Sequence, residues 1–309
     1  MTERESNRIA FLGMDDLGVY VSDDDLAVPH LAKLGWEVET VPWRAPDPRW
    51  ERFAGVVIRS PWDYPGLVDD FLATLARIEG AGVPLANPLA QVRANVRKSY
   101  LLELAARGCP IPRTVIEPAL TAAALEAFVR DVGAAGVVAK PVVGASGWEA
   151  LRVRDDDPAS SERALAVLGG REVVLQPFLP SIVEEGEISL IYFSGVFSHA
   201  LNKSPVAGEF RVQEEHGGII RGVEPGAEAL AVADAILGLI DPVPLYARVD
   251  LVRDGGCLVL MELELVEPSL YLRTNPGAPA RFAAAVDAWA RAASGPLLSR
   301  TGTSLHSRP

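Results

Sequence analysis

Two glutamates separated by one leucine close the run CLVLMELEL, residues 257–265. The unbroken apolar stretch CLVLM reads as a strand buried on both faces, and strand periodicity then puts Glu262 and Glu264 on one face of it. The segment before it, ARVDLVR, carries Asp250 and is joined through DGG, so the two segments predict a hairpin. If all three DGG residues form the loop, Arg253 pairs with Cys257, Asp250 stands opposite Leu260, and the three acids share a face. A two-residue loop puts Asp250 on the opposite face. Three carboxylates crowded at the end of a buried strand repel one another unless a cation joins them. Hard oxygen ligands suit Mg²⁺, which usually works with one or two carboxylates plus substrate phosphates. The competing reading is a solvated strand end with its charges turned to water.

A second group is cationic. In AKPVVGASGWE, Lys140 ends a strand-like stretch, and Gly144, Ser146 and Gly147 form a small-residue loop. Lysine is a point-charge partner for phosphate, and glycines let backbone N–H groups approach one. An ordinary turn beside a surface lysine fits the same residues. Lys98 sits in an amphipathic stretch, where a lysine is most simply a solvated face. Lys203 leaves a strand into HALNKSPVAGEFRVQEEHGG, a loop that also holds Arg211 and His216. His216 alone reads as structural sooner than catalytic. In LQPFLPSIVEEGE, Pro177 and Pro180 withhold backbone groups from a ladder, leaving N–H and C=O groups free for a nucleobase edge. Glu184, Glu185 and Glu187 follow within reach of a ribose, although an interdomain hinge explains the segment equally well.

The elements that must hold these groups alternate in type. RIAFLG, a helical 25–34, WEVETV, GVVIRS and LVDDFLATLARIEG predict a parallel α/β sheet with helices on its faces. Ligands in such sheets lie beyond the carboxyl ends of strands, where Asp15, Asp16, Arg59, Ser60, Trp62 and Asp63 fall. No GxGxxG occurs there, and no GxxxxGK[ST] follows Lys140. Residues 87–108 predict one long amphipathic helix, stopped by Gly108 and Pro110. Further helices are expected over 121–131, 159–168, 227–239 and 280–293, with a Ser-Gly hairpin joining EISLIYF to VFSHAL.

Composition narrows the partners. The 309 residues carry 29 basic and 41 acidic side chains, a formal charge of -12, which disfavours nucleic acid and anionic membranes as partners. Two cysteines, Cys109 and Cys257, make neither a disulfide framework nor a zinc site. The polar start MTERESNR lacks an apolar signal region, no segment has the roughly 20 apolar residues of a membrane span, and a cytoplasmic protein is expected. Only four basic residues are lysines (Lys33, Lys98, Lys140 and Lys203), against 25 arginines.

In order along the chain, several segments together resemble the ATP-grasp superfamily. They are Asn95 with Lys98, VAKP with its glycine loop, LQPFLP, EGEISL, NKSP with GEFRVQEEHGG, and RVD with MELEL. RSPWDY, FRVQ-x-x-HGG and ELVEPSLYL bring it nearest to glutathione-synthetase-like ligases, and among those to the cycloserine synthetase type, which closes a ring on O-ureido-serine. The resemblance implies an α/β fold with an N-terminal domain over 1–86. It also implies a first grasp lobe over 87–176, a second with the metal site over 177–298, and a tail over 299–309. It implies an ATP-dependent carboxylate–amine ligase working through an acyl phosphate on a small amino-acid-like substrate. The cofactors implied are ATP and Mg²⁺, as one ion or two, with Mn²⁺ an acceptable substitute.

Residue by residue, the resemblance assigns Lys98, Lys140 and the loop of Gly144, Ser146 and Gly147 to phosphates. Gln176, Phe178 and Leu179 go to adenine, Glu184 or Glu187 to ribose, and Asp250, Glu262 and Glu264 to Mg²⁺. Lys203 and Arg211 face the γ-phosphate, while Arg59, Trp62, Asp63, Ser269 and Tyr271 are candidates for substrate recognition. Glu264 departs from the family, where that metal position is commonly Asn. A small-molecule kinase on the same fold and a non-catalytic nucleotide sensor are the alternatives. A homodimer is the default oligomer.

Overall fold

A computed structural model describes residues 7–133 and 136–294; the expected tail and most of the polar N-terminal stretch lie outside the described residues. The chain opens with β1 (Arg8–Gly13), α1 (Val28–Lys33), β2 (Glu37–Pro42), β3 (Gly55–Ser60), α2 (Val68–Gly80) and the short β4 (Leu85–Ala86). These strands form a parallel sheet in the order β2-β1-β3-β4. In α2, Phe71, Thr74, Leu75 and Ile78 recur at helical spacing and are the buried residues. They pack on one sheet face with Trp43, Phe53 and Ile58.

Two helices follow where one was expected: α3 (Leu89–Asn95) and α4 (Tyr100–Ala106). The break is tertiary in origin. The Lys98 N–H donates to the Val142 carbonyl at 2.8 Å, outside any helical ladder. That bond pulls residues 96–99 towards the glycine loop.

A four-stranded antiparallel sheet, β5-β8-β6-β7, comes next, built from β5 (Val115–Glu117), β6 (Val137–Pro141), β7 (Leu151–Val153) and β8 (Val173–Pro177). It is backed by α5 (Ala122–Val132), capped by Thr121 Oγ1 accepting from the Ala124 N–H at 3.1 Å, and by α6 (Pro158–Leu168). After the single turn α7 (Ser181–Glu184) come β9 (Glu187–Phe193), β10 (Val196–Ser204), β11 (Ile219–Val223), α8 (Ala227–Leu237), β12 (Tyr246–Asp254) and β13 (Cys257–Glu264). The five strands make an antiparallel sheet ordered β11-β10-β9-β12-β13. The last helix, α9 (Ala278–Ser294), returns to the first sheet, where Phe282, Val286 and Ala290 bury against Ile9, Phe11 and Val57.

The β12–β13 hairpin corrects the expected register. Its turn has two residues, Gly255 and Gly256, both at positive φ (+56° and +91°), so Asp254 faces Cys257 and Arg253 faces Leu258. Left alone, that register would turn Asp250 away from the glutamates. A bulge between Asp250 and Leu251 restores the face and sets Asp250 directly opposite Glu262.

β13 is an edge strand, and its outer backbone groups are met by side chains of α3, α4 and the segment before α3. Asn95 donates to the Leu263 carbonyl and accepts from the Leu265 N–H, both at 2.9 Å. Tyr100 Oη accepts from the Leu263 N–H at 2.8 Å, and Asn87 donates to the Leu265 carbonyl at 2.7 Å. Side chains thus replace a neighbouring strand. Among the described residues no helix is long and apolar enough to cross a membrane.

Candidate active site

A cleft of about 1450 Å³, part of it open to solvent, lies between the two antiparallel sheets. Glu262, Glu264 and Arg248 line it from β12 and β13, and Lys140 and Gln176 from β6 and β8. The loops holding Gly147 and Arg211 line it too, and Trp62, Tyr64, Glu267 and Tyr271 complete it.

Through that bulge in β12 the three carboxylates converge. Asp250, Glu262 and Glu264 each offer an oxygen within 4.8 Å of the others. Asp250 accepts from Ser189 Oγ at 2.6 Å, from Lys203 Nζ at 3.2 Å and from Arg248 Nη2 at 2.9 Å. Burial pushes its pKa upward, but Arg248 and Lys203 outweigh that and hold it well below the ordinary carboxylate range. Glu262 pairs with Lys98 Nζ at 2.8 Å, and this ammonium, with Lys140, outweighs burial and lowers its pKa. Glu264 contacts Arg248, yet burial and the neighbouring Glu262 and Asp250 push it up to about 8. A hard-oxygen set under that mutual repulsion fits a divalent cation.

The lysines divide by environment. Lys98 Nζ bonds the Gly144 carbonyl at 2.7 Å as well as Glu262; burial works against its charge, but Glu262 lifts its pKa overall. Lys140 has no carboxylate within ion-pair distance among the described residues, and burial lowers its pKa despite Glu262. Lys203 does not line the cleft. It is 1% exposed, with Nζ 2.5 Å from Glu187 and 3.2 Å from Asp250. The expectation that it faces a γ-phosphate directly is corrected: its charge neutralises two buried acids behind the cleft wall.

Other expected residues separate in the same way. Gln176, Phe178, Leu179, Glu187, Arg211, Trp62, Ser269 and Tyr271 line the cleft, as do Gly144, Ser146 and Gly147. Gln176 is anchored by Thr114 Oγ1 at 3.0 Å, and Arg152 lies 3.4 Å over the Phe178 ring. Arg211 is held by Glu209, through Nε at 3.1 Å and Nη2 at 2.6 Å. Its loop touches the glycine loop, with His216 Nε2 3.2 Å from the Ser146 carbonyl. Three expectations are corrected. Glu184 is exposed at the end of α7 and off the cleft, whereas Glu187 lines it. Arg59 is 1% exposed and bonds Asp24 and the Pro268 carbonyl, so it ties the first sheet to the segment after β13. Asp63 accepts from Trp43 Nε1 and pairs with Arg44, both at 2.6 Å, again away from the cleft.

A family model described as "D-cycloserine synthetase DcsG, N-terminal domain" matches residues 9–87. The chain is 37% identical over 273 residues to the cycloserine biosynthesis protein DcsG of Streptomyces lavendulae, covering 82% of this chain and 89% of the relative. The chain belongs to the DcsG family. The crystal structure of D-cycloserine synthetase DcsG superposes with a TM-score of 0.80 at 30% identity, covering 92% of this chain and 99% of that one. The ATP-grasp ligase PsnB, solved with a minimal precursor, Mg and ADP, has a TM-score of 0.60 at 18% identity over 93% of this chain and 99% of its own, a likeness of fold.

In this DcsG-family cleft, two charged residues escaped the reading of the sequence. Arg248 bridges Asp250 and Glu264 from within the carboxylate cluster. Its position two residues before Asp250 in RVD was the available signal, since it puts both on one strand face. Glu267 lies 92% buried beside Tyr64, and burial pushes it up to about 7. It falls in an irregular segment after β13, where no periodicity could mark it.

Proposed function

We propose that the protein is an ATP- and Mg²⁺-dependent ligase that joins a carboxylate to an amine on a small amino-acid-like substrate, either between molecules or by ring closure. The observation that carries this reading is one cleft lined by Glu262 and Glu264, with Asp250 buried beside them, and by Lys98, Lys140 and the glycine loop. DcsG-family membership and the ATP-grasp fold support it.

A carboxylate is a poor electrophile because attack by an amine would expel oxide. Transfer of the γ-phosphoryl group from ATP forms a C–O–P linkage and breaks the bond to ADP. The amine then attacks the acyl carbon, phosphate leaves, and the amine loses its proton. When bound, Mg²⁺ would neutralise charge on the phosphates, with Asp250, Glu262 and Glu264 as its protein ligands. Lys98 and Lys140 would hold the α- and β-phosphates. Gln176, Phe178 and Leu179 would meet adenine, and Glu187 the ribose. Arg211, released from Glu209, would face the transferring group, while Lys203 helps keep Asp250 ionised and holds Glu187 in place. Closure of the glycine loop against the Arg211 loop would keep water from the acyl phosphate.

Screening amino acids for ADP release, with mass spectrometry of each product, tests the reading. A product lighter by one water than its substrates, formed with one ADP, supports ligation. A product retaining phosphate identifies a kinase, and no turnover with any acid identifies a sensor.

A further inference from the structure

One corner of the cleft has no role in the chemistry above. Glu267 is 8% exposed, and among the described residues no ion pair holds it; Lys98 and Arg248 act on it only through space. Its side chain lies beside Tyr64, and its carbonyl accepts from Trp62 Nε1 at 2.9 Å. Trp62 and Tyr64 are 7% and 3% exposed and line the same cleft, and Tyr20 packs on Trp62 with ring centroids 5.5 Å apart. A buried carboxylate without a cationic partner is costly, and the aromatic walls, by excluding water, strengthen whatever charge it meets. Glu267 follows Glu264 by three residues, so its corner adjoins the carboxylate cluster.

We propose that Glu267, walled by Trp62 and Tyr64, is the subsite that receives the ammonium group of the amino-acid substrate whose carboxylate is activated. This rests on the ligase reading of the cleft. The ammonium stays out of the bond-forming step; binding it aims the neighbouring carboxylate at the phosphoryl donor. The same corner gives a reason for selecting amino acids over other carboxylic acids.

The test compares two probes, O-ureido-serine and the analogue in which hydrogen replaces its amino group, on the 309-residue protein and on Glu267→Gln. The wild type should strongly prefer the amino acid by kcat/KM. In E267Q, KM for the amino acid should rise roughly 10- to 100-fold, the range of a lost charged hydrogen bond. Rates with the analogue, KM for ATP and the Mg²⁺ requirement should not move. An unchanged preference, an equal loss with both probes, or a shift in half-saturating Mg²⁺ each overturns the assignment. Glu267→Asp, which keeps the charge but retracts it by one methylene, gives the same comparison if E267Q is not recovered folded. Wild-type protein that releases no ADP with either probe or any other amino acid fails the ligase reading itself. Wild-type turnover with an E267Q that still discriminates fails this inference alone.

Discussion

Asn95→Leu probes how the edge strand holds the site. Asn95 is 9% exposed, and its amide makes two bonds to β13, to the Leu263 carbonyl and the Leu265 N–H. Leucine matches its bulk and makes neither. Each buried backbone group left without a partner costs about 1–3 kcal/mol, so two cost roughly 2–6 kcal/mol. At ~2–4 °C per kcal/mol for a large domain, the melting temperature should fall by roughly 4–24 °C. Function should suffer as well, because Glu262 and Glu264 flank Leu263 on that strand. Circular-dichroism melts of parent and variant, with Mg²⁺ titrations of ADP release, measure both effects. Asn7→Ala, which removes one exposed 3.4 Å bond to Gly35, is the control and should change stability by under ~0.5 kcal/mol. An N95L melt within about 1 °C of the parent refutes the sealing role, since surface substitutions give shifts that small.

Three further outcomes are expected. Glu262→Gln should cut turnover by roughly 100-fold or more at ordinary Mg²⁺ while the far-ultraviolet spectrum is kept, and normal activity would remove Glu262 from the metal site. At Gly147, φ is +64° and an added Cβ would stand 2.7 Å from Gln213 Oε1. Gly147→Ala should therefore raise KM for ATP about tenfold, from roughly 1–2 kcal/mol of left-handed strain, and an unchanged KM separates this loop from the nucleotide. Burial lowers His199 from 6.5 to about 4, so the unfolded chain takes up its proton first as pH falls. Its contribution to stability is full above pH 6.5 and lost between 6.5 and 4, at most ~3 kcal/mol at 1.4 kcal/mol per unit. His199→Gln should flatten the pH dependence of chemical denaturation in that window by one proton, and parallel curves would contradict this.

What the sequence made legible was whatever depends on local periodicity. CLVLMELEL announced a buried strand ending in two carboxylates on one face, and the glycines after Lys140 announced a loop next to a cation. The convergence of Asp250 with the glutamates was also foreseen, although through a loop length that the structure replaces with a two-residue turn and a bulge. No residue signals that bulge. The break between α3 and α4 was hidden for the same reason: neither glycine nor proline marks VRKS, and a bond to Val142, 44 residues away, decides it. Arg59 misled because its place at a strand end suggests ligand contact, whereas its partners come from Asp24 and Pro268. Periodicity cannot register contacts made across such distances. Three of the four lysines do stand in or behind the cleft, which gives the scarcity of lysine a positional meaning.

The acyl phosphate is the intermediate on which the ligase reading depends, and hydroxylamine intercepts it. Protein, ATP, Mg²⁺ and O-ureido-serine are incubated with and without hydroxylamine, and hydroxamate and ADP are quantified together. Hydroxamate should form only with ATP and Mg²⁺ present, in proportion to ADP and at the expense of the normal product. ADP release with a phosphorylated product that hydroxylamine leaves untouched would contradict activation of a carboxylate at this site.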